Sequence, residues 1–289
     1  MLTKIFKWIG IVLGGLIIVA VVLVGVLYAM ANSRLTKKYD VQPEAVAIPT
    51  DQASLEQGNK WAAVLCADCH GGDFSGKPLV DDQTVGFVPA PNLTAGEGGA
   101  GSEFTDPDWI RALRDGVDPE GRALVGMPSM NYYYLNDKDL GAIIAYIKSV
   151  PPVDHEMGEP NLSFMGRVIL AAGMFGKNIL PAEVINHTGT RPSVVVPGVN
   201  VEYGGYLVRI DGCRDCHGEN LTGGKSPAPG APYAPDITSS GVGGAWSQET
   251  FITSVRTMKG KGMPWAILKP LDDSELEAIL IYLQSLSTK

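Results

Sequence analysis

The chain has 289 residues, with 35 Gly, 20 Pro and a formal net charge of −8, but no collagen-like period and no low-complexity tract. Its length holds a membrane anchor and about two domains at roughly 100–200 residues each, and its Gly and Pro content suits a loop-rich fold. Residues 1–38 carry five Lys or Arg and no acid, and taking these five from 23 leaves 18 basic against 31 acidic residues beyond them; such a surface excludes nucleic acid as a partner and serves solubility or the steering of a basic protein.

The first element is apolar. No charge occurs from Trp8 to Ser33, and the core of this run is Ile9 to Met30. About 20 apolar residues cross a bilayer, whereas the apolar core of a cleaved signal has roughly 7–15. The run predicts an uncleaved transmembrane helix. Lys4 and Lys7 precede it and Arg34, Lys37 and Lys38 follow it, so basic flanks do not orient it.

A helix is then expected from about Ser54 into Cys66-Ala-Asp-Cys69-His70, and a second from about Val201 into Cys213-Arg-Asp-Cys216-His217. The chain has four Cys, and these motifs use all of them. Two Cys separated by two residues and followed by His form the c-type haem attachment signature. The two thiols add across the vinyl groups of one haem, and the adjacent His ligates its iron. A shared zinc site gives no reason for a His after each pair. A thioredoxin-like pair requires a βαβ pattern that is not found, and structural disulfides are the remaining alternative. Two covalently bound haem c groups are the expected cofactors. Covalent haem attachment occurs outside the bacterial cytoplasmic membrane. The anchor therefore predicts a single pass, N-terminus in, with the haem domains on the periplasmic side.

The two motifs head a tandem repeat. His70–Gly76 (HGGDFSG) matches His217–Gly223 (HGENLTG), Ala90–Thr94 (APNLT) matches Ala234–Thr238 (APDIT), and Phe104–Arg114 matches Trp246–Arg256. Gly58 and Gly205 both stand eight residues before the first Cys. Asp108–Arg114 and Thr250–Arg256 are predicted helical. Further on, Met127 pairs with Met263, Pro128 with Pro264, Leu135 with Leu271, Asp137 with Asp273 and Tyr146 with Tyr282. Asn136 with Asp139, and Asp272 with Glu275, have capping-box spacing. Leu140, Ile143, Ile144 and Ile147, and Leu276, Ile279, Leu280 and Leu283, recur at helical spacing. Little strand signal appears.

A His-ligated haem that carries electrons takes a second axial ligand, commonly Met. Met127 and Met263, each followed by Pro and then a helix, are the candidates. Met130 is the rival in the first repeat but falls opposite Ala266, and Met258, the rival in the second, has no Met partner. His155 and His187 lie between the repeats and are expected on a solvated linker. Arg114 and Arg256 are read equally as haem-propionate partners or helix-surface charges. Trp109, Phe251, Tyr146 and Tyr282 are expected to pack against haem or between helices. The connecting run Leu162–Leu180, interrupted by Arg167 and Lys177, is expected as a helix or loop packed across the two domains, with an interfacial membrane helix as the alternative.

Cys-x-x-Cys-His-Gly, the Pro-Asn-Leu-Thr and Pro-Asp-Ile-Thr segments, and Met-Pro before a Leu-x-Asp-x-[Asp/Glu]-Leu-x-Ala-Ile helix resemble class I cytochromes c in tandem. They are similar in particular to the multihaem cytochrome subunits of membrane-bound alcohol and gluconate dehydrogenases, which typically carry three haems where this sequence has two motifs. The resemblance covers about residues 54–152 and 201–287. It implies two all-α cytochrome c folds, His70 and His217 as proximal ligands, and Met127 and Met263 as distal ones. The expected architecture is an all-α chain: anchor 1–38, cytochrome c domain 39–152, linker 153–200 and cytochrome c domain 201–289. The expected function is electron transfer between redox proteins of a respiratory or dehydrogenase system, without catalysis by the chain itself. A dihaem peroxidase, or an anchoring subunit of a larger redox complex, is the alternative.

Overall fold

A computed structural model describes residues 2–191, 194–226, 232–258 and 263–287. The expected loop before Met263 lies partly outside the described residues. The chain opens with one long helix, α1 (Leu2–Thr36). Its apolar run is exposed to its surroundings, but its last turns are not. Val24, Leu27, Ala31, Arg34 and Leu35 form a half-buried to buried stripe at the three- and four-residue spacing of one helix face.

The first repeat folds as α2 (Gln52–Leu65), α3 (Ala67–His70), the hairpin β1 (Lys77–Asp82) and β2 (Gly86–Ala90), α4 (Ala100–Glu103), α5 (Asp106–Asp115), α6 (Ser129–Tyr132) and α7 (Asp137–Ser149). The connecting segment adds β3 (Asn161–Leu162), which pairs antiparallel with β2, and α8 (Phe164–Ala171). The second repeat follows as α9 (Val201–Ile210), α10 (Cys213–His217), the pair β4 (Gly224–Lys225) and β5 (Tyr233–Ala234), α11 (Gln248–Thr257) and α12 (Asp273–Ser285). The molecule is mostly helical, as expected, but the hairpins were not legible. β1 is short, carries Pro78 and is largely exposed, so it lacks the alternating apolar face that marks a half-buried strand. Matched ends explain both hairpins: Lys77 pairs with Ala90 in the first repeat and Gly224 with Ala234 in the second.

Caps set the helix ends. Asp51, Asn136, Asn200, Ser247 and Asp272 each accept a hydrogen bond from the backbone N–H three residues on, which satisfies a donor the helix cannot. Each repeat is held by its first helix crossing its last. A Cβ added to Gly58 would lie 2.0 Å from the carbonyl oxygen of Ala142 on α7, and one added to Gly204 would lie 1.9 Å from that of Ala278 on α12. Ala142 and Ala278 match in the repeats, so the structural counterpart of Gly58 is Gly204, not Gly205. The register changes because Asp211 and the left-handed Gly212 are interposed between α9 and Cys213, whereas α2 runs directly into Cys66.

One hydrophobic core spans both repeats, from Trp61, Leu140 and Ile144 through Tyr206 and Leu207 to Leu276 and Leu283. A second joins Ala31 of α1 to Val41, Val88, Val117, Leu162, Leu170 and Leu180. Within the connecting segment α8 packs against the end of α1, while the stretch after it reaches both repeats, the Ile179 carbonyl accepting from Gly126 N–H and the Asn178 side chain donating to Asp215.

Gly58→Ala and Gly204→Ala are each expected to destabilise by about 1–3 kcal/mol or more, because backbone must move to admit the methyl. Gly205→Ala meets only the flexible ring of Tyr282 and is expected to cost less than half as much. Thermal unfolding followed by far-UV circular dichroism compares the three.

Candidate functional site

Each Cys-x-x-Cys-His motif forms a short helix placed by the helix before it. In α3 the His70 N–H bonds the Cys66 carbonyl at 2.8 Å, which brings Cys66, Cys69 and His70 into one turn. His70 and His217 are both buried. The His70 Nδ1–H donates to the Pro91 carbonyl at 2.8 Å, and the His217 Nδ1–H donates to the Pro235 carbonyl at 2.8 Å. A carbonyl only accepts, so the contact fixes the tautomer and leaves each Nε2 lone pair free for a metal. The two prolines were visible as matched positions in the repeat, but their role was not, since a backbone carbonyl has no sequence signature.

The loop after each His is reproduced closely. Gly76 N–H bonds the His70 carbonyl at 2.8 Å, and Gly223 N–H bonds that of His217 at 2.9 Å. Phe74 N–H bonds the Gly71 carbonyl and Leu221 N–H that of Gly218. Within the loops Phe74 (φ 59°) and Leu221 (φ 62°) occupy the left-handed region at the same repeat position. Such a conformation costs about 1–3 kcal/mol in a side chain of this kind and is maintained where the surroundings enforce it. Both side chains are buried in the shared core.

Burial pushes the Cys66 thiol up to about 12 and raises the Cys69 and Cys213 thiols as well. Burial also lowers the His70 imidazole from its ordinary value. The four Cys are not paired as disulfides, and among the described residues no three Cys, His, Asp or Glu converge as an ion site.

Met127 and Met263 both pack at the edge of the shared core. Met130 instead lines a surface cleft of about 590 Å³ with Asn178, Ile185 and Arg214, and Met258 is 49 % exposed. Arg114 and Arg256 tie the ends of α5 and α11 to the starts of α7 and α12. Arg114 Nη2 donates to the Leu135 carbonyl (2.8 Å) and Asp137 (2.6 Å), and Arg256 Nη2 donates to the Leu271 carbonyl (2.7 Å) and Asp273 (2.7 Å). Arg114 is fully buried, so it is not a helix-surface charge. Its Nε and Nη1, and the Trp109 indole N–H, are buried donors without a protein partner. They fit a cofactor that brings carboxylates, as haem does with its propionates. Trp109 pairs with Phe104 and Phe251 with Trp246, both at 5.2 Å between ring centroids.

The other two histidines are engaged elsewhere. His155 is exposed, with Nδ1 donating to the Ser75 carbonyl. His187 was expected on a solvated linker but is half-buried, with Nδ1 on Asp115 and Nε2 on the Ala182 carbonyl. Arg191 joins the same buried Asp115 at 2.6 Å. Fully desolvated Asp115 draws both partners in, and no charge pattern in the linker announces this.

Contacts between the repeats were also missed. Asp139 accepts from the Trp61 indole N–H (3.0 Å) and the Tyr206 hydroxyl (2.6 Å). Its repeat counterpart Glu275 accepts from Lys60 and from the Tyr203 hydroxyl at 3.1 Å. Asn131, four residues after Met127, donates to Asp215 inside the second Cys-x-x-Cys motif at 2.7 Å. The two sites therefore abut.

Residues 55–151 match the family Cytochrome c, and residues 200–283 match the family Cytochrome C oxidase, cbb3-type, subunit III. The chain is similar to the fructose dehydrogenase cytochrome subunit of Gluconobacter japonicus, 26% identical over 266 residues, covering 82% of this chain and 53% of that one. It is also similar to a diheme cytochrome c-type protein of Cereibacter sphaeroides, 29% identical over 205 residues (63% and 62% of the two chains). A third likeness is to a nicotinate dehydrogenase subunit from Pseudomonas putida, 31% identical over 117 residues (39% and 10%). The chain spans about half the length of the first relative and a tenth of the third.

Asp211 stands apart as a buried carboxyl with both oxygens unpartnered, just before Cys213. Burial, and then the charge of Glu275, push it from near 3.8 up to about 8. Folding favours its neutral form, so stability falls as pH rises from the lower value and the full cost is present above the higher one. Asp211→Asn is expected to raise the melting temperature over the parent at about pH 8.5 and to raise it much less at about pH 4.5, as scanning calorimetry would show.

Proposed function

For a chain that is a tandem of two cytochrome c domains and resembles the cytochrome subunits of dehydrogenases, we propose a membrane-anchored dihaem electron carrier. The observation that carries this reading is the duplicated site. Each repeat presents a buried His with its Nδ1–H on a proline carbonyl, and each places a Met at the same position against the core. Haem c, when bound, supplies a one-electron iron couple.

Cys66 and Cys69 would hold one haem as thioethers, and Cys213 and Cys216 the other. His70 and His217 would offer Nε2 to the irons, and Met127 and Met263 a thioether. Trp109 and Arg114 would meet the carboxylates of the first group. A Met on each iron would leave no position for peroxide, which favours a carrier over a dihaem peroxidase. The Asn131–Asp215 contact holds the two sites side by side, so one chain links donor to acceptor.

α1 spans the cytoplasmic membrane once, with both repeats on the outer side. The donor is a dehydrogenase, by likeness to the fructose and nicotinate dehydrogenase subunits, and the acceptor is a further respiratory redox protein. The acidic surface favours a basic face on such a partner.

Purified holoprotein is expected to carry two haems per chain by mass and by haemochrome absorbance, with the long-wavelength Met–iron band. Met127→Ala and Met263→Ala should each remove about half of that band, and Met130→Ala and Met258→Ala none. Rapid peroxide turnover by the unaltered holoprotein, with one high-spin haem, would overturn the carrier reading.

A further inference from the structure

The connecting segment carries an apolar surface that the electron-transfer reading does not use. From Leu162 to Phe175 its only charge is Arg167. Phe164 is 57 % exposed, Met165 45 % and Met174 74 %. The opposite face of α8 is apolar as well, because Leu170 and Ala171 pack into the second core. Apolar helix surface belongs in apolar surroundings, yet Phe164 and Met165 on α8 and Met174 after it are left uncovered by protein.

Its attachment shows what lies on the other side. The Phe164 ring stacks on Tyr28 of α1 at 5.4 Å. The Arg167 guanidinium lies 5.5 Å over the same ring and bonds the Asn32 side chain at 2.9 Å. Arg34 donates to the Leu170 carbonyl at 2.9 Å and pairs with Glu183 at 2.6 Å. From the other direction Ser163 N–H bonds the Val85 carbonyl at 3.0 Å, and a Cβ on Gly166 would lie 2.0 Å from that carbonyl. α8 is thus clamped between the first repeat's hairpin and the end of α1.

Tyr28 fixes the level of this clamp. The apolar run ends at Met30. Counted from Ile9 at 1.5 Å per residue, the run is about 33 Å long, close to the roughly 30 Å hydrocarbon thickness of a bilayer. Tyr28 then falls at the outer boundary, where aromatic side chains concentrate, and Phe164 is one ring away.

We propose that α8 and the turn after it, Phe164 to Met174, form a second membrane contact: a lipid-binding foot whose Phe164, Met165 and Met174 side chains enter the acyl–headgroup boundary of the outer leaflet. Arg167 is occupied in holding α8 to α1, so the contact with lipid is made by apolar side chains. The foot gives the first repeat a fixed inclination to the bilayer. This rests on the reading of α1 as a membrane span.

The test uses the full-length holoprotein in nanodiscs of phosphatidylcholine and phosphatidylglycerol at 3:1. p-Benzoylphenylalanine is placed singly at positions 16, 164, 174 and 242, irradiated, and the adducts are identified by mass spectrometry. Lipid adducts at 164 and 174, at least tenfold over the exposed control at 242 and alongside adducts at 16, are expected. Adducts at 16 without adducts at 164 and 174 overturn the foot and leave the span intact. Protein–protein adducts at 164 and 174 in place of lipid overturn it in favour of a protein neighbour. Absence of lipid adducts at 16 overturns the span, and the foot with it.

Discussion

The crossing of the first and last helix in each repeat is the contact on which the rest depends. α2 carries the first Cys-x-x-Cys-His motif at its C-terminal end, and α7 follows Met127 after the short helix α6. Gly58 lets the backbones meet at Ala142, and Gly204 does the same at Ala278. Only glycine permits this approach, since any Cβ would overlap a carbonyl. Arg114 and Arg256 then extend the frame by holding α5 and α11 to the starts of α7 and α12.

Duplication also built the seam between the halves. Asp139 and Glu275 occupy the third position of α7 and α12, where a carboxylate favours the helix start. Each also receives a hydroxyl from α9: Tyr206 on Asp139 and Tyr203 on Glu275. The remaining partner differs, Trp61 on the first and Lys60 on the second. A residue selected for local helix capping has become an acceptor across the interface, and the near-symmetry of the repeats supplies such an acceptor twice. Buried, hydrogen-bonded carboxylates of this kind constrain register, because an alternative packing would leave them unpaired.

Much of this was legible in the sequence, and the physical reasons are particular. The helix over Asp137–Ser149 and its counterpart were marked by period and by caps, both local signals, while Asp108–Arg114 and its counterpart were marked by their match between the repeats. The thiols and histidines stood in a fixed spacing, and the matched methionines were separated from Met130 and Met258 by comparing one repeat with the other. What was not legible depends on contacts between distant segments. The Gly58–Gly204 equivalence is hidden by the extra residue before Cys213. The β1–β2 hairpin lacks an alternating face. His187 looks like a linker residue until Asp115 and Arg191 are seen beside it. The carbonyls of Pro91 and Pro235 are backbone atoms, which no side-chain pattern reports.

The shared core has a consequence for the molecule's divisibility. Trp61 and Leu140 from one repeat, and Leu207 and Leu276 from the other, belong to a single apolar cluster. Separating the repeats would open that cluster and take Tyr206 from Asp139 and Lys60 from Glu275. Neither half is then a spare part of the other. Heat should melt the two together in one cooperative step, and a cut in the connecting segment should yield a nicked but intact protein instead of two free domains. The ancestral unit has been copied, but its copies no longer have independent lives.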